Sequence, residues 1–214
     1  TGNKAVYTVH TLAQKEYNKY FIAYNRLLFR MFSKRIYLVG ISRVVASSIE
    51  KVYGIDSVKV IYNGSVGNDD NLTSDRDKYT NNLVYVGRIA PEKNVILLIK
   101  SVIKLIKDGV DIKLTIVGGD PTIGEQYLPQ CIIAGEGRSN IVFEGRRKDI
   151  HKFILKADAL CLSSYYEGLG IAALEAFSCG KPVIATPCGG PEEIIIHGVN
   201  GVISHSNTIE DYSF

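Results

Sequence analysis

The chain has 214 residues, 46% of them hydrophobic and 22% charged, which fits a globular protein of one or two domains. Its greasiest stretch, Val95 to Ile106, is broken by Lys100 and Lys104 and is too short to span a bilayer. The net charge of +3 conceals an asymmetry: residues 1–63 hold ten Lys or Arg against three Asp or Glu, so the remainder carries a surplus of four negative charges. A basic first third suits an anionic partner or an anionic membrane face. None of the four cysteines forms a C-x-x-C pair, and His10, His151, His197 and His205 are scattered singly. That pattern points to buried, reduced thiols in a cytosolic protein and to no metal cluster.

In chain order, "AVYTVH" reads as a strand, followed by a long helix over Lys15 to Arg35, "IYLVGIS" as a strand, a helix, and "VKVIYNG" as a strand. The polar segment Gly64 to Asn81 reads as a linker. After it, "NLVYVG" is a short β-branched run. Val95, Leu98, Ile99, Val102, Ile103 and Ile106 then recur at helical spacing, with Asn94 placed as an N-cap and Gly109 just past the end. Strands at "IKLTIVGG", "NIVFEG", "ALCLSS", "PVIAT" and "GVIS" alternate with helices at Tyr127 to Ala134, Lys148 to Lys156, Ile171 to Cys179 and Pro191 to Ile196. These strands are almost continuously apolar. Strands of that kind are buried on both faces, which predicts a doubly wound parallel α/β sheet. Residues 1–63 form half of a second such domain, and no closing helix is expected before Phe214.

Ligands of open parallel sheets bind beyond the carboxyl ends of the strands. Arg88 and Lys93 lie in such a loop, "VGRIAPEKN", where a guanidinium fork and a mobile ammonium suit phosphate oxygens; solvated loop cations are the alternative. Gly168-Leu169-Gly170 follows a strand and opens a helix, which suits an anion at the helix N-terminus or a simple strand-to-helix turn. Glu167 precedes that turn, and Glu175 sits among Ala172, Ala173, Leu174 and Ala176, where a carboxylate needs a partner or a cleft. Neither G-x-G-x-x-G nor G-x-x-x-x-G-K-[ST] is present, which disfavours a dinucleotide dehydrogenase and a P-loop NTPase. "DRD" at 75–77 lies in the polar linker and reads as a solvated charge run.

The block "EGLGIAALEAFSCGKPVIATPCGGPEEII" with "GVNG" after it resembles the signature of glycosyltransferase family 4, retaining enzymes of the GT-B fold. Glu167 and Glu175 meet that family's E-x7-E pattern. "VGRIAPEKN", "IVGGDP", "IVFEGRR" and "KADALCLSS" follow its order, and "AVYTVHTL" and "VKVIYNGS" resemble the end of its first domain.

The resemblance implies that residues 1–63 end an acceptor-side domain, 64–81 link, and 82–214 bind the donor. It implies that Arg88 and Lys93 hold the donor diphosphate, Glu167 lies against the sugar, and Glu175 binds ribose hydroxyls. The amides of Gly168, Leu169 and Gly170 would cradle sugar and phosphate, His10 would approach the sugar, and Gly118 and Arg146 would line the base pocket. It further implies transfer from a UDP- or GDP-sugar to a glycan or lipid-linked hydroxyl acceptor in surface polysaccharide or glycolipid synthesis. No resident cofactor, metal or nucleic acid is implied. The setting would be cytoplasmic. Read from its own residues, the Lys15 to Arg35 helix sets six cations beside aromatic and aliphatic side chains, which suits peripheral contact with an anionic membrane or a helix packed on its own sheet with a solvated basic face. A sugar-nucleotide epimerase or a non-catalytic binding module is the alternative. Leu169 stands where the family commonly has Phe and Ala172 where it has Pro. The family's Gly-rich loop and crossing C-terminal helix are missing, which reads as a piece of a longer enzyme.

Overall fold

The computed structural model describes residues 3–13, 18–56, 58–65, 80–119 and 127–213. Residues 66–79 of the expected linker with its "DRD" run, Lys15 to Tyr17 of the expected first helix, and Asp120 lie outside the described residues. The chain divides into two compact units. The smaller holds Thr1–Gly64 together with two segments from later in the chain, Glu167–Leu169 and Gly189–Ile194.

In the smaller unit, β1 (Ala5–Val9), β2 (Ile36–Gly40) and β3 (Lys59–Val60) form a parallel sheet in that order. Helix α1 (Lys19–Met31) connects β1 to β2, and α2 (Arg43–Tyr53) connects β2 to β3. The bounds of α2 follow from its caps. The Ser42 side chain accepts a hydrogen bond from the Val45 amide, and Gly54 ends the helix in the left-handed conformation. Val45 and Ile49 are fully buried on its inner face. No residue of α1 is buried, and β1 is exposed at four of its five positions, contrary to the expectation of strands buried on both faces. Among the described residues β1 pairs with β2 alone, and α1, the helix that follows it, buries no residue.

In the larger unit, the strands are β4 (Asn82–Val86), β5 (Lys113–Val117), β6 (Ile141–Gly145), β7 (Ala159–Leu162), β8 (Val183–Ala185) and β9 (Gly201–Ile203). All pair in parallel, in the order β6-β5-β4-β7-β8-β9. This is the doubly wound order of a Rossmann-like sheet, and its sense reverses between β4 and β7. The crossovers are α3 (Val95–Lys107), α4 (Tyr127–Ala134), α5 (Ile150–Lys156) and α6 (Ile171–Ser178). The apolar stripe of α3 packs on Tyr85, Leu114 and Ile116 of the central strands, with Val95, Leu98, Ile99, Val102 and Ile103 all buried. Burying each such side chain stabilises the fold by roughly 1.5–3 kcal/mol.

Three local expectations change. Asn94 occupies the cap position of α3 but makes no side-chain cap bond; its left-handed backbone instead turns the chain out of a 3-10 turn at Pro91–Lys93. The helix expected over Pro191 to Ile196 is a 3-10 turn at Gly190–Glu193. A one-turn helix, α7 (Ile209–Tyr212), does close the unit, with the Thr208 side chain capping it and Tyr212 buried against the core.

All four cysteines are free; Cys131, Cys161 and Cys188 are buried and Cys179, just past α6, is partly exposed. Burial pushes the Cys131 thiol up to about 11 and that of Cys161 to about 12. Among the described residues no helix is long and apolar enough to cross a membrane.

Candidate active site

The carboxyl ends of β4, β5 and β6 close around a cavity of about 350 Å³. Pairing continues one residue past the strands: the Gly87 amide donates to the Val117 carbonyl at 3.0 Å, and the Gly118 amide donates to the Gly145 carbonyl at 2.8 Å. A Cβ on Gly118 would overlap the Gly87 carbonyl, so only glycine lets the two strand ends meet. Arg88, Arg146 and Arg147 line the cavity together with Gly87, Gly118 and Gly119. Three guanidinium groups lie at one sheet edge, two of them beside a glutamate, which leaves a net positive mouth suited to an anion.

Each arginine has a different constraint. Arg88 pairs with Glu92 at 3.0 Å, and the Tyr85 hydroxyl donates to the Arg88 carbonyl at 2.6 Å, which fixes the backbone beneath the guanidinium. Arg147 pairs with Glu144 at 2.6 Å, and that carboxylate raises its pKa further. Arg146 makes no ion pair or hydrogen bond among the described residues.

Lys93 does not line this cavity. Its carbonyl accepts from the Ser163 hydroxyl at 2.9 Å, and the Tyr165 amide donates to the Glu92 carbonyl at 2.9 Å. The Pro91–Lys93 turn is therefore stitched to the end of β7, at the point where strand order reverses.

Gly170 opens α6 in the left-handed conformation, with φ of 84°. Glu175 lies in the second turn of α6, half-buried. Burial raises its carboxyl pKa above the ordinary value, and His151 of α5 pulls in the opposite direction.

In the smaller unit, Gly168 packs against the end of β1. A Cβ there would lie 2.5 Å from the His10 carbonyl oxygen and 3.4 Å from Ile41 and Val45 side chains. The backbone of Glu167 bridges in parallel to Gly189, and the Gly190 amide donates to the Glu167 carbonyl at 3.0 Å. The Ser42 hydroxyl donates to the Gly168 carbonyl.

The structure thus brings Arg88, Gly118 and Arg146 to one cavity, and His10, Glu167, Gly168 and Leu169 into one unit. Sequence reasoning missed Arg147, Gly119, Ser163, Ser42 and Glu193. Arg147 and Gly119 adjoin residues already singled out, so strand-end position could have found them. Nothing local in the sequence marks Ser42 or Glu193 as partners of a segment more than a hundred residues away.

Residues 71–213 match the sequence profile of the family described as "Glycosyl transferases group 1". The chain belongs to that family. Among the relatives of this group 1 chain is an uncharacterized glycosyltransferase of Methanocaldococcus jannaschii, 30% identical over 209 residues that cover 91% of the chain and 52% of the relative. A D-inositol 3-phosphate glycosyltransferase of Pseudarthrobacter chlorophenolicus is 27% identical over 142 residues, covering 64% of the chain and 34% of the relative. The chain spans about half the length, or less, of these curated relatives. The crystal structure of Anabaena HepE in complex with UDP and glucose superposes with a TM-score of 0.81 at 22% identity, covering 98% of this chain and 60% of that one. At this identity the likeness bears on the fold, which is the Rossmann-like parallel-sheet architecture of GT-B glycosyltransferases.

Proposed function

We propose that this group 1 chain contributes the donor site of a retaining glycosyltransferase of family 4, which moves a sugar from a nucleotide sugar to a hydroxyl acceptor. The observation that carries the reading is the cavity where Arg88, Arg146 and Arg147 meet Gly118 at the carboxyl edge of a doubly wound sheet. The UDP and glucose bound by HepE and the family E-x7-E pattern support it.

In this reading the base enters beside Gly118 and Arg146, Glu175 accepts from ribose hydroxyls, and Arg88 and Lys93 hold the diphosphate. Fixed cations aimed at the departing diphosphate stabilise the charge that develops as it leaves. Glu167 and His10 attend the sugar, and the acceptor hydroxyl attacks on the face the diphosphate vacates, which retains configuration. These cations do the work without a resident cofactor or metal. The acceptor is a glycan or a lipid-linked glycan of a surface polysaccharide or glycolipid, and the setting is cytoplasmic.

A thermal-shift series with UDP-, GDP- and ADP-sugars tests the donor site. One of them raises the melting temperature, and Arg88→Ala and Arg146→Ala each diminish the shift. No shift with any donor refutes the reading.

Peripheral attachment to an anionic membrane has one observation in its favour. Tyr20, Tyr24, Leu27 and Met31 lie exposed along one stripe of α1, beside Lys19 and Arg30, and α1 contains no acidic residue. Flotation with phosphatidylglycerol vesicles, compared with phosphatidylcholine vesicles, tests it; failure to float with either disposes of the attachment.

A further inference from the structure

The Glu167–Leu169 segment is held from one place, the N-terminus of α2. Ser42 is fully buried there, and its oxygen does two things: it accepts from the Val45 amide at 3.1 Å and donates to the Gly168 carbonyl. The Glu193 carboxylate accepts from the Arg43 amide at 2.9 Å, the Val44 amide at 2.7 Å and the Tyr62 hydroxyl at 2.8 Å. This fixes the Gly190–Glu193 turn, whose Gly190 amide donates to the Glu167 carbonyl at 3.0 Å.

Peptide groups are planar and trans, so a carbonyl and the following N–H point in opposite directions. Holding the Glu167 carbonyl therefore aims the Gly168 N–H, and holding the Gly168 carbonyl aims the Leu169 N–H. Neither of these two amides has a hydrogen-bond acceptor among the described residues. Leu169 is buried, and buried backbone donors are ordinarily paired, so its amide, with no acceptor, is a donor kept for something else; the adjoining Gly168 amide, on a partly exposed residue, is open to the same ligand. A hydrogen bond on each carbonyl also polarises its peptide and strengthens the opposite donor. The steric data agree: a side chain on Gly168 would strike the His10 carbonyl, and one on Gly190 would strike Gly168, so the stack has one packing.

We propose that Ser42 and Glu193 are positioning residues that aim the Gly168 and Leu169 amides at the donor. Ser42 acts directly on one peptide. Glu193, braced by Tyr62 and the α2 N-terminus, acts on the other through the Gly190 turn. The ligand assigned to these amides, the sugar end of a nucleotide sugar, rests on the function proposed above.

The experiment separates the two ideas. Whichever of UDP-, GDP- or ADP-glucose stabilises the chain most is compared by calorimetry with its own free nucleoside diphosphate, in wild type, Ser42→Ala, Ser42→Thr and Glu193→Gln. The affinity gained from the sugar falls by about tenfold in Ser42→Ala and Glu193→Gln, as expected for loss of one hydrogen bond involving a charged or polarised group. Affinity for the free diphosphate stays within about twofold, and Ser42→Thr, which keeps the hydroxyl, retains the sugar increment. An equal loss for sugar-bearing and sugar-free ligands reveals mere structural support and overturns the proposal.

Amide NMR supplies a readout that needs no ligand. Gly168 and Leu169 resonances shift in Ser42→Ala, and Gly190 exchange quickens in Glu193→Gln. The milder Tyr62→Phe moves them the same way and keeps the test open should Glu193→Gln fail to fold. Unmoved resonances and exchange overturn the positioning role even if the donor binds. A chain that binds no donor yet shows these NMR changes refutes the proposed ligand alone.

Discussion

β1 in the smaller unit and β7 in the larger are both short parallel strands of apolar composition, Ala-Val-Tyr-Thr-Val and Ala-Leu-Cys-Leu. β7 is buried at every position and β1 is exposed at four of five. Both sequences are apolar on balance, though β1 carries Tyr and Thr where β7 carries Leu and Cys; their places differ more. β7 lies between β4 and β8 with helices packed over the sheet, whereas β1 pairs among the described residues with β2 alone and the helix after it buries no residue. A hydrophobic run states what a strand is able to bury, and sheet order decides what it does bury.

The largest expected effect tests that contrast directly. Leu160→Ala in β7, at a fully buried site, costs about 2–5 kcal/mol, whereas Val6→Ala in β1 stays within about 0.5 kcal/mol, both read from urea unfolding. Equal losses would show that β1 is as buried in solution as β7.

The next pair concerns close backbone approach. Gly118→Ala in the larger unit pushes a methyl into the Gly87 carbonyl, and Gly168→Ala in the smaller pushes one into the His10 carbonyl. Each costs about 1–3 kcal/mol of stability, the ordinary range for forced overpacking. The functional readouts differ. Gly118→Ala lowers affinity for the free nucleoside diphosphate, and Gly168→Ala lowers chiefly the increment from the sugar.

Side chains at the candidate site come third. Arg88→Ala and Arg146→Ala each weaken nucleotide binding by about tenfold or somewhat more, the value of one charge-assisted contact. His10→Ala leaves affinity for the free nucleoside diphosphate unchanged and lowers the increment from the sugar. A calorimetric series across the three variants checks the division.

The smallest effect is one of pH. Burial raises the Glu175 pKa, so the folded state favours its protonated form. The associated stability is complete below the ordinary carboxyl range and is lost as pH rises through the raised value. Donor affinity moves the other way over the same window, because the ionised carboxylate is the better acceptor for ribose hydroxyls. Glu175→Gln flattens both profiles; slopes that persist in that variant would assign them to another group.

The larger unit was legible in the sequence because its elements are local and long. The α3 stripe from Val95 to Ile106 and the β-branched runs announce their own periods, and each strand end delivers its loop to the same edge. Arg88 could therefore be placed from order alone, whereas Gly118 and Arg146 came from the family resemblance. Features that depend on distant partners were not legible. Ser42 caps α2, and its second bond, to Gly168, crosses 126 positions. Glu193 accepts from amides about 150 positions away. α7 was missed for another reason: one turn is too short to display a helical period.

The thiols described above have a practical consequence. Three of the four cysteines are sealed inside the protein, with Cys131 and Cys161 held protonated by burial, so alkylating reagents reach them slowly. Cys179 is the accessible one, and it stands four residues beyond Glu175 at the foot of the same helix. The native chain thus comes with an attachment point for an environment-sensitive fluorophore, a reporter tethered to the helix that would meet the nucleotide.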